Sequence, residues 1–339
     1  MIGGARQRSR QKDKKMRESK IINQQSTFKN PVSGYALIVG AACMWGTIGI
    51  FFSVLHFHFG MSALTIGVLR AGIAALLLAL ALVIWKRDAL RFERALLPPL
   101  LLFGLFGIAA FYVLNTEAVF LTNVATASVL LYTAPAFVTL VAWRLWREPL
   151  TRRKMGAVAA SFIGCALVAR VYEPSALQWN GWGVLIGAAA GFTYGMFTLF
   201  SKYFSTRASP WTTVLYSLVF GTLFLLPLQF VTLPGIEAPN YRALFETPLA
   251  WVALLGLCFG PTLGSYALYN AGLRTVSASV ASVIATIEPV VAGVAGFVVF
   301  GQTLEVLQIA GAIIIVASAL ALTVGLTPEP QETVARIDG

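Results

Sequence analysis

The chain alternates between long apolar runs and short polar connections. A helix that crosses the hydrocarbon core of a bilayer needs about 20 predominantly apolar residues, and ten runs approach that length. We therefore predict an all-α integral membrane protein with ten transmembrane helices, flanked by polar tails at 1–33 and 326–339. The predicted spans are 34–55, 62–85, 95–116, 124–146, 153–171, 180–201, 210–231, 248–271, 277–300 and 305–325.

Composition favours a membrane protein and excludes several other classes. Of the 339 residues, 58% are hydrophobic and 12% are charged, whereas a soluble domain carries about 25% charged residues. Too few charges remain to cover a soluble core, which excludes a soluble enzyme, a disordered chain and a disulfide-stapled secreted domain. The three cysteines, Cys43, Cys165 and Cys258, lie in apolar runs without metal-ligand spacing. We therefore predict no metal and no other cofactor.

The distribution of basic residues predicts the orientation. The net charge is +11, but Lys and Arg are typical of cytoplasmic loops, so we expect a lipid bilayer and no nucleic acid as partner. With a cytoplasmic N-terminus, 22 of the 25 Lys and Arg fall on the cytoplasmic side, against Arg170 and Arg242 outside and Arg70 within a span. The sequence predicts a bacterial inner (plasma) membrane protein with both termini cytoplasmic, and residues 1–33 form a basic cytoplasmic tail.

The two halves of the chain resemble each other when the first is shifted by 154 residues. The segment AxSVLLYTAPAFVTLVA then falls on AxSVIATIEPVVAGVAG, and each half holds five predicted spans. Because five is odd, the second copy must enter the membrane the other way up. We predict two inverted five-helix repeats, at 34–171 and 180–325. The matched pairs include Tyr112 with Tyr266, Ala127 with Ala281, Ser128 with Ser282, Pro135 with Pro289 and Leu150 with Leu304.

Inverted repeats are the architecture of many secondary transporters. Two inverted copies can pack in two related ways of similar energy, one open to each side of the membrane. A site at their interface near the midplane is then exposed alternately to the two sides, and an enzyme does not need this symmetry. The pattern therefore favours a transporter with a central site between the halves.

Several short motifs carry a family resemblance. Their order and spacing over residues 34–325 resemble the drug/metabolite transporter superfamily, EamA type. The resemblance implies export or uptake of a small metabolite, commonly an amino acid, with export favoured. The sequence departs from the family at Gly301-Gln302, where a Gly-Glu pair is common. The matching motifs are MWGT around Trp45, LRAGIAALLL with Arg70, Ala134-Pro135, WREPL with Glu148, and Glu288-Pro289.

Glu288 is the most informative polar residue because it lies near the centre of a predicted span. A carboxylate at that depth costs several kcal/mol unless it is paired or hydrated. It is therefore either a protonatable coupling group lining the transport cavity or a structural acid beside the helix break at Pro289. Pro135 and Pro289 each remove a backbone hydrogen bond, so we predict breaks in spans 4 and 9.

Other polar and aromatic side chains predict the cavity lining. Asn is costly in lipid, so the faces that carry Asn115 and Asn270 should point inward, although hydroxyl groups at helix–helix contacts remain an alternative. Arg70 and Glu117 lie toward the outer halves of spans 2 and 3, where we expect a structural ion pair. Alternatively, Glu117 lies in the external mouth and Arg70 binds a substrate carboxylate. The predicted substrate-binding residues are Trp45, Tyr112, Asn115, Tyr132, Tyr194, Tyr266, Asn270, Thr286 and Glu288.

These observations predict a secondary active transporter, not an enzyme. Its partners would be a small organic molecule and the bilayer, and the oligomeric state is left open, a homodimer included. Two other classes stay open: an integral-membrane enzyme acting on lipid, and a passive channel. The enzyme would need a catalytic cluster at the cytoplasmic interface, but the acids available there, Asp88, Glu93 and Glu148, are scattered among arginines. The channel differs in lacking saturable flux.

Overall fold

A computed structural model describes residues 31–173, 177–178, 180–231 and 237–323. The predicted tails fall almost entirely outside these residues. Within them the chain is helical and forms no strand, which confirms the all-α class. The helices, numbered here in chain order, are α1 (Val32–His58), α2 (Ala63–Trp85), α3 (Arg94–Leu121), α4 (Val124–Trp146), α5 (Arg152–Val168), α6 (Gly181–Ser205), α7 (Pro210–Phe230), α8 (Pro248–Gly272), α9 (Ala278–Phe300) and α10 (Val306–Thr323).

Nine of these helices in the described part of the chain are long and apolar enough to cross a membrane. The remaining helix, α5, has 17 residues and begins with three basic side chains, which shortens its apolar part. Helix α1 extends past the predicted end of its span at residue 55, so that His56 and His58 lie in its last turn. Nδ1 of His56 lies 2.8 Å from the carbonyl oxygen of Met61, so the ring helps to fix the following turn.

Helices α4 and α9 are both interrupted near their middle. The α4 helix breaks at Tyr132–Thr133 and α9 breaks at Thr286–Ile287. Each break comes just before a proline, Pro135 or Pro289, which has no N–H to donate to the preceding turn. The two breaks are separated by 154 residues, the offset of the sequence repeat.

Other backbone features recur at nearly the same offset. Wide, π-helical turns occupy Phe103–Ala110 in α3 and Cys258–Gly264 in α8. After α4 and α9 the chain turns through a left-handed residue, Arg147 (φ 55°) and Gly301 (φ 65°) respectively. These positions also lie 154 residues apart, so the correspondence extends from side chains to backbone conformation.

The two halves pack into each other and do not lie side by side. Helix α1 packs against α8 and α9 of the other half, and α6 packs in the same way against α3 and α4. The pairs α2–α7, α4–α9 and α5–α10 join corresponding helices of the two halves. This exchange of first helices places residues from both halves around a common centre.

Loop contacts define two opposite faces of the bundle. The basic face carries the α2–α3, α4–α5, α6–α7 and α8–α9 connections, which together with the adjoining helix ends hold twelve Lys and Arg. Hydrogen bonds join these connections, for example from Lys202 Nζ to the carbonyl of Leu273 at 2.8 Å. The opposite face carries the other connections, where Asn240 donates to the carbonyl of Gly60 at 2.7 Å. Its basic residues in the described chain are Arg170 and Arg242.

Glycines let α6 approach the broken helix α4 closely. A Cβ atom on Gly191 would lie 2.5 Å from the carbonyl oxygen of Leu130 and 2.7 Å from Oγ1 of Thr133. Both atoms belong to the α4 break, so the backbones touch where α4 is interrupted. Small residues at such contacts are typical of membrane helices.

We expect Gly191→Ala to lower the Tm of the detergent-purified protein, because the new methyl group must displace backbone at the α4 break. Overpacking of this kind costs about 1–3 kcal/mol. Gly156→Ala in α5 is the matched control, since a Cβ there meets no atom within 4 Å and alanine favours helix. Equal or higher thermal stability of the Gly191 variant would show that this contact is not tight.

Candidate functional site

A cavity of about 190 Å³ lies between the two halves. It extends from the middle of the bundle, at the level of Glu288, toward Ala63 at the start of α2, on the opposite face. Both halves of the chain contribute to it, and its walls are largely apolar. The residues that line it include Trp45, Ile48, Phe52, Ala63, Ile66, Gly67, Arg70, Phe111, Tyr112, Asn115, Thr116, Leu131, Tyr194, Phe197, Tyr266 and Glu288.

Aromatic side chains close the inner end of this cavity. The Trp45 indole is buried, with ring centroids 4.8 Å from Tyr269 and 6.4 Å from Tyr194. The hydroxyl groups of Tyr112 and Tyr266 lie 3.2 Å apart. Because these two tyrosines are partners in the sequence repeat, their contact lies where the two halves meet. On the basic-face side, the hydroxyl groups of Tyr269 and Thr198 are 2.8 Å apart.

Glu288 lies in the cavity wall, directly after the α9 break. It is the eleventh residue of α9, about 15 Å along the helix from its start at the basic face. Its Oε2 accepts a hydrogen bond of 2.7 Å from the hydroxyl of Tyr194 on α6. The carboxyl group therefore has one fixed partner from the same half of the chain and otherwise faces the cavity.

Arg70 supplies the positive group of the cavity. The side chain is 8% exposed, and its Nε donates to Oγ1 of Thr262 at 2.7 Å, while Nη2 lies 3.4 Å from the carbonyl oxygen of Pro261. The guanidinium carbon lies 5.3 Å from the ring centroid of Tyr112, within the range of a cation–π interaction. In the described chain nothing accepts a hydrogen bond from Nη1, which leaves that nitrogen available to a bound anion.

The predicted ion pair between Arg70 and Glu117 is wrong. Among the described residues Arg70 forms no salt bridge with Glu117, and its donors are directed to α8. Oε2 of Glu117 is buried without a hydrogen-bond partner. The physical reason is the direction of the side chains: Asn115 and Thr116 of α3 face the cavity, and Glu117 does not line it.

Three predicted lining residues lie elsewhere. Asn270 donates to the carbonyl of Tyr266, one turn earlier in α8, at 2.9 Å. Tyr132 and Thr286 line a second, much smaller cavity of about 10 Å³ between the two helix breaks, next to Tyr194. A space of that size is close to the minimum for one water molecule. Tyr132 and Thr286 therefore surround the breaks, and none of the three residues lines the main cavity.

Several residues that line the cavity or hold a lining residue were not singled out in the sequence. Phe111 and Phe197 form part of the wall, but their types and spacing are ordinary for apolar helices. Thr262, which orients Arg70, lies beside Pro261 in the wide turn of α8. A proline and a hydroxyl residue within a span were an available signal for an irregular turn. Nothing in the local sequence around Thr262 indicated that its hydrogen-bond partner is Arg70, 192 residues away.

The sequence matches one protein-family model twice. The model describes an EamA-like transporter family, and the matched residues are 32–170 and 181–324. The two matches correspond to the two halves of the sequence and are separated by residues 171–180. Together they cover most of the chain.

Similar proteins carry transporter names. An "Uncharacterized transporter" of Archaeoglobus fulgidus is 29% identical over 85% of this chain and 95% of its own length. A "Probable terminal-alkyne amino-acid exporter" of Streptantibioticus cattleyicolor is 27% identical over 66% of this chain and 72% of its own length. A solved crystal structure superimposes with a TM-score of 0.73 at 16% identity, covering 86% of this chain and 96% of the other. At that identity the likeness shows the fold alone.

Proposed function

The chain belongs to the EamA-like transporter family, and from this premise we propose that it is a secondary active transporter of small organic metabolites, with amino acids the leading class. Its membership confirms the resemblance seen in the sequence, and the names of its relatives point to a transporter and not to an enzyme. The proposed mechanism is alternating access between two inverted repeats, in the direction of export.

The proposed architecture counts α5 as a tenth crossing, with repeats at 34–171 and 180–325. It is supported by the common offset of the helix breaks and left-handed turns, and by the exchange of α1 and α6 between halves. The excess of Lys and Arg on the basic face supports a cytoplasmic location for that face. Both termini then lie in the cytoplasm, and the membrane is the bacterial inner membrane.

The proposed substrate class rests on one observation: the same largely apolar cavity contains one cationic and one acidic side chain. Arg70 comes from the first half and Glu288 from the second. An amino acid carries a carboxylate for the Arg70 guanidinium and an ammonium group for the Glu288 carboxylate. Nη1 of Arg70, from which no group in the described chain accepts, can donate a charge-assisted hydrogen bond to that carboxylate. A volume of about 190 Å³ suits a small organic molecule.

Proton coupling is the second part of the proposal. The Glu288 carboxyl group lies deep in the bundle, where an uncompensated charge is costly. It would be neutral when the cavity is closed and ionised when water or an ammonium group reaches it. A passive channel with the same lining would conduct without saturation, so transport kinetics separate the two possibilities.

The direct test is counterflow in proteoliposomes that contain the purified protein. Vesicles preloaded with an unlabelled amino acid are expected to accumulate the labelled amino acid transiently and saturably. A thermal-shift screen across amino acids selects the compound to use. Flux that rises linearly with concentration and shows no counterflow would indicate a channel, and stabilisation by no amino acid would refute the substrate class.

A further inference from the structure

We propose that Glu148 is a positioning residue that closes the basic face by holding the N-terminus of α9. The inference rests on the proposed alternating access and deepens it. It assigns to a residue outside the cavity the control of which side is open. The argument comes from a difference between the two halves in how corresponding helix ends are capped.

Glu148 reaches from the α4–α5 connection to the other half of the molecule. Its Oε1 accepts a hydrogen bond of 2.9 Å from the backbone N–H of Ala278, and its Oε2 accepts from the backbone N–H of Ser279 at 3.3 Å and from the Ser279 hydroxyl. Nζ of Lys154 lies 3.5 Å from Oε2. The first N–H groups of a helix have no internal acceptor, and a carboxylate there also interacts favourably with the helix dipole.

Helix α9 depends on this contact because its own capping residue is not used. Ser277 occupies the N-cap position and makes no side-chain hydrogen bond to the helix. The corresponding residue of the other half is Asn123, whose side chain accepts a hydrogen bond from Thr126 N at the start of α4. Helix α4 is therefore capped by its own half and α9 by the other half.

The residue that corresponds to Glu148 is Gln302, and the two have the same backbone setting. Each follows a left-handed residue, and each donates its N–H to the carbonyl six residues earlier, Ala142 or Gly296. The Glu148 side chain crosses to α9. The Gln302 side chain stays on its own helix, where Oε1 would be 2.5 Å from a Cβ on Gly296. The capping contact of Glu148 with α9 therefore forms on the basic face. The corresponding contact of Gln302 with α4 is not formed on the opposite face, which is the side toward which the cavity extends.

Exchange of these caps would accompany the change of access. In the state described here, α9 is capped by Glu148 and α4 by Asn123. In the alternative state, Gln302 would cap α4 and Ser277 would cap α9. A neutral Gln is a weaker acceptor than a carboxylate, so the sequence favours the state in which the basic face is closed.

The test measures access to each face with a membrane-impermeant maleimide, in protein whose three native cysteines are replaced by alanine. Ala63→Cys reports on the cavity at the opposite face, and Ser282→Cys reports on the buried basic-face side. We expect Glu148→Gln to slow labelling of the first reporter and to speed labelling of the second, with a shift in their ratio of about tenfold. The control is Glu93→Gln, an exposed acid of the α2–α3 connection, which should leave the ratio unchanged.

Two further variants test whether Glu148 controls which side is open or only stabilises the N-terminus of α9. Gln302→Glu strengthens the alternative contact from an exposed loop position, so it should shift the ratio in the same direction as Glu148→Gln. Adding Ser277→Ala to Glu148→Gln weakens the cap of α9 in one state and removes it in the other, so it should restore the ratio toward that of the parent protein. Unchanged ratios in Glu148→Gln or Gln302→Glu, or a larger shift in the double variant, would overturn the proposal.

The readout needs no substrate, so it is independent of the transport assay. Reporter shifts in a protein without amino-acid counterflow would leave the role of Glu148 intact and refute the substrate class. Counterflow in a protein whose reporters do not respond would refute the role of Glu148 alone. A Ser282→Cys reporter that stays unlabelled in every variant during active counterflow would also count against Glu148 as the residue that closes the basic face.

Discussion

Glu288→Gln is expected to reduce amino-acid transport about 100-fold and to abolish its dependence on a proton gradient. Gln preserves the size of the side chain and an oxygen that accepts the hydrogen bond from Tyr194. It removes the negative charge and the ability to bind a proton. Loss of a hydrogen bond to a charged group costs about 1.5–3 kcal/mol, and each 1.4 kcal/mol is a factor of ten. Initial uptake rates into proteoliposomes, with and without an imposed pH difference, measure both effects.

Two controls locate the Glu288 effect at the carboxylate. Tyr194→Phe removes the hydrogen bond and retains the acid, so we expect a smaller loss and continued proton dependence. Glu117→Gln changes an acid that does not line the cavity and should transport at close to the parent rate. If Glu288→Gln transports with undiminished proton dependence, Glu288 is not the coupling group.

Arg70→Ala is expected to eliminate measurable counterflow of amino acids. The guanidinium is the cation that lines the cavity wall in the described chain, and without it a substrate carboxylate would enter a largely apolar space unpaired. Leaving a buried charged group without its partner costs several kcal/mol. Arg70→Lys keeps the charge but loses the planar fork, so we expect an intermediate loss of about tenfold. Labelled-substrate counterflow measures both variants.

Substrate analogues distinguish recognition by Arg70 from a general structural role. The amine that lacks the carboxylate should be a poor substrate of the parent protein, and Arg70→Ala should not reduce its transport further. An N-acetylated amino acid lacks the ammonium group proposed to contact Glu288. It should be a poor substrate of the parent protein, and Glu288→Gln should not reduce its transport further. If Arg70→Ala reduces the transport of the amino acid and of the amine equally, Arg70 contributes to folding and not to recognition of the carboxylate. Because Arg70 also contacts Thr262 and Pro261, the Tm of each Arg70 variant must be measured to detect a loss of stability.

Much of the fold is predictable because the bilayer imposes strong local rules. Each crossing must satisfy its own backbone hydrogen bonds, so long apolar runs predict helices without knowledge of their neighbours. The prolines at 135 and 289 predict the α4 and α9 breaks for the same reason. The predicted spans agree with the helices to within a few residues at most ends. The short apolar part of α5 is also evident from its three basic residues.

The candidate site was predictable only where a residue type is costly in a membrane. Glu288 and Arg70 stand out in the sequence because charges within spans need a polar surrounding, and both line the cavity. Their partners were not predictable. Their positions toward the outer halves of spans 2 and 3 favoured a pair of Arg70 with Glu117, but the wide turn of α8 presents Thr262 to Arg70 instead.

The sequence alone determined that this is a helical membrane protein of two related halves, and it marked the charged residues of its centre. These properties follow from segment length, composition and the 154-residue offset, which are local or periodic along the chain. The tertiary structure decided which faces meet, which end of the bundle holds the cavity, and that Glu148 caps α9 while Gln302 remains on its own helix. Two halves with the same backbone pattern can pack in more than one way. The choice between those packings depends on contacts between residues far apart in the chain.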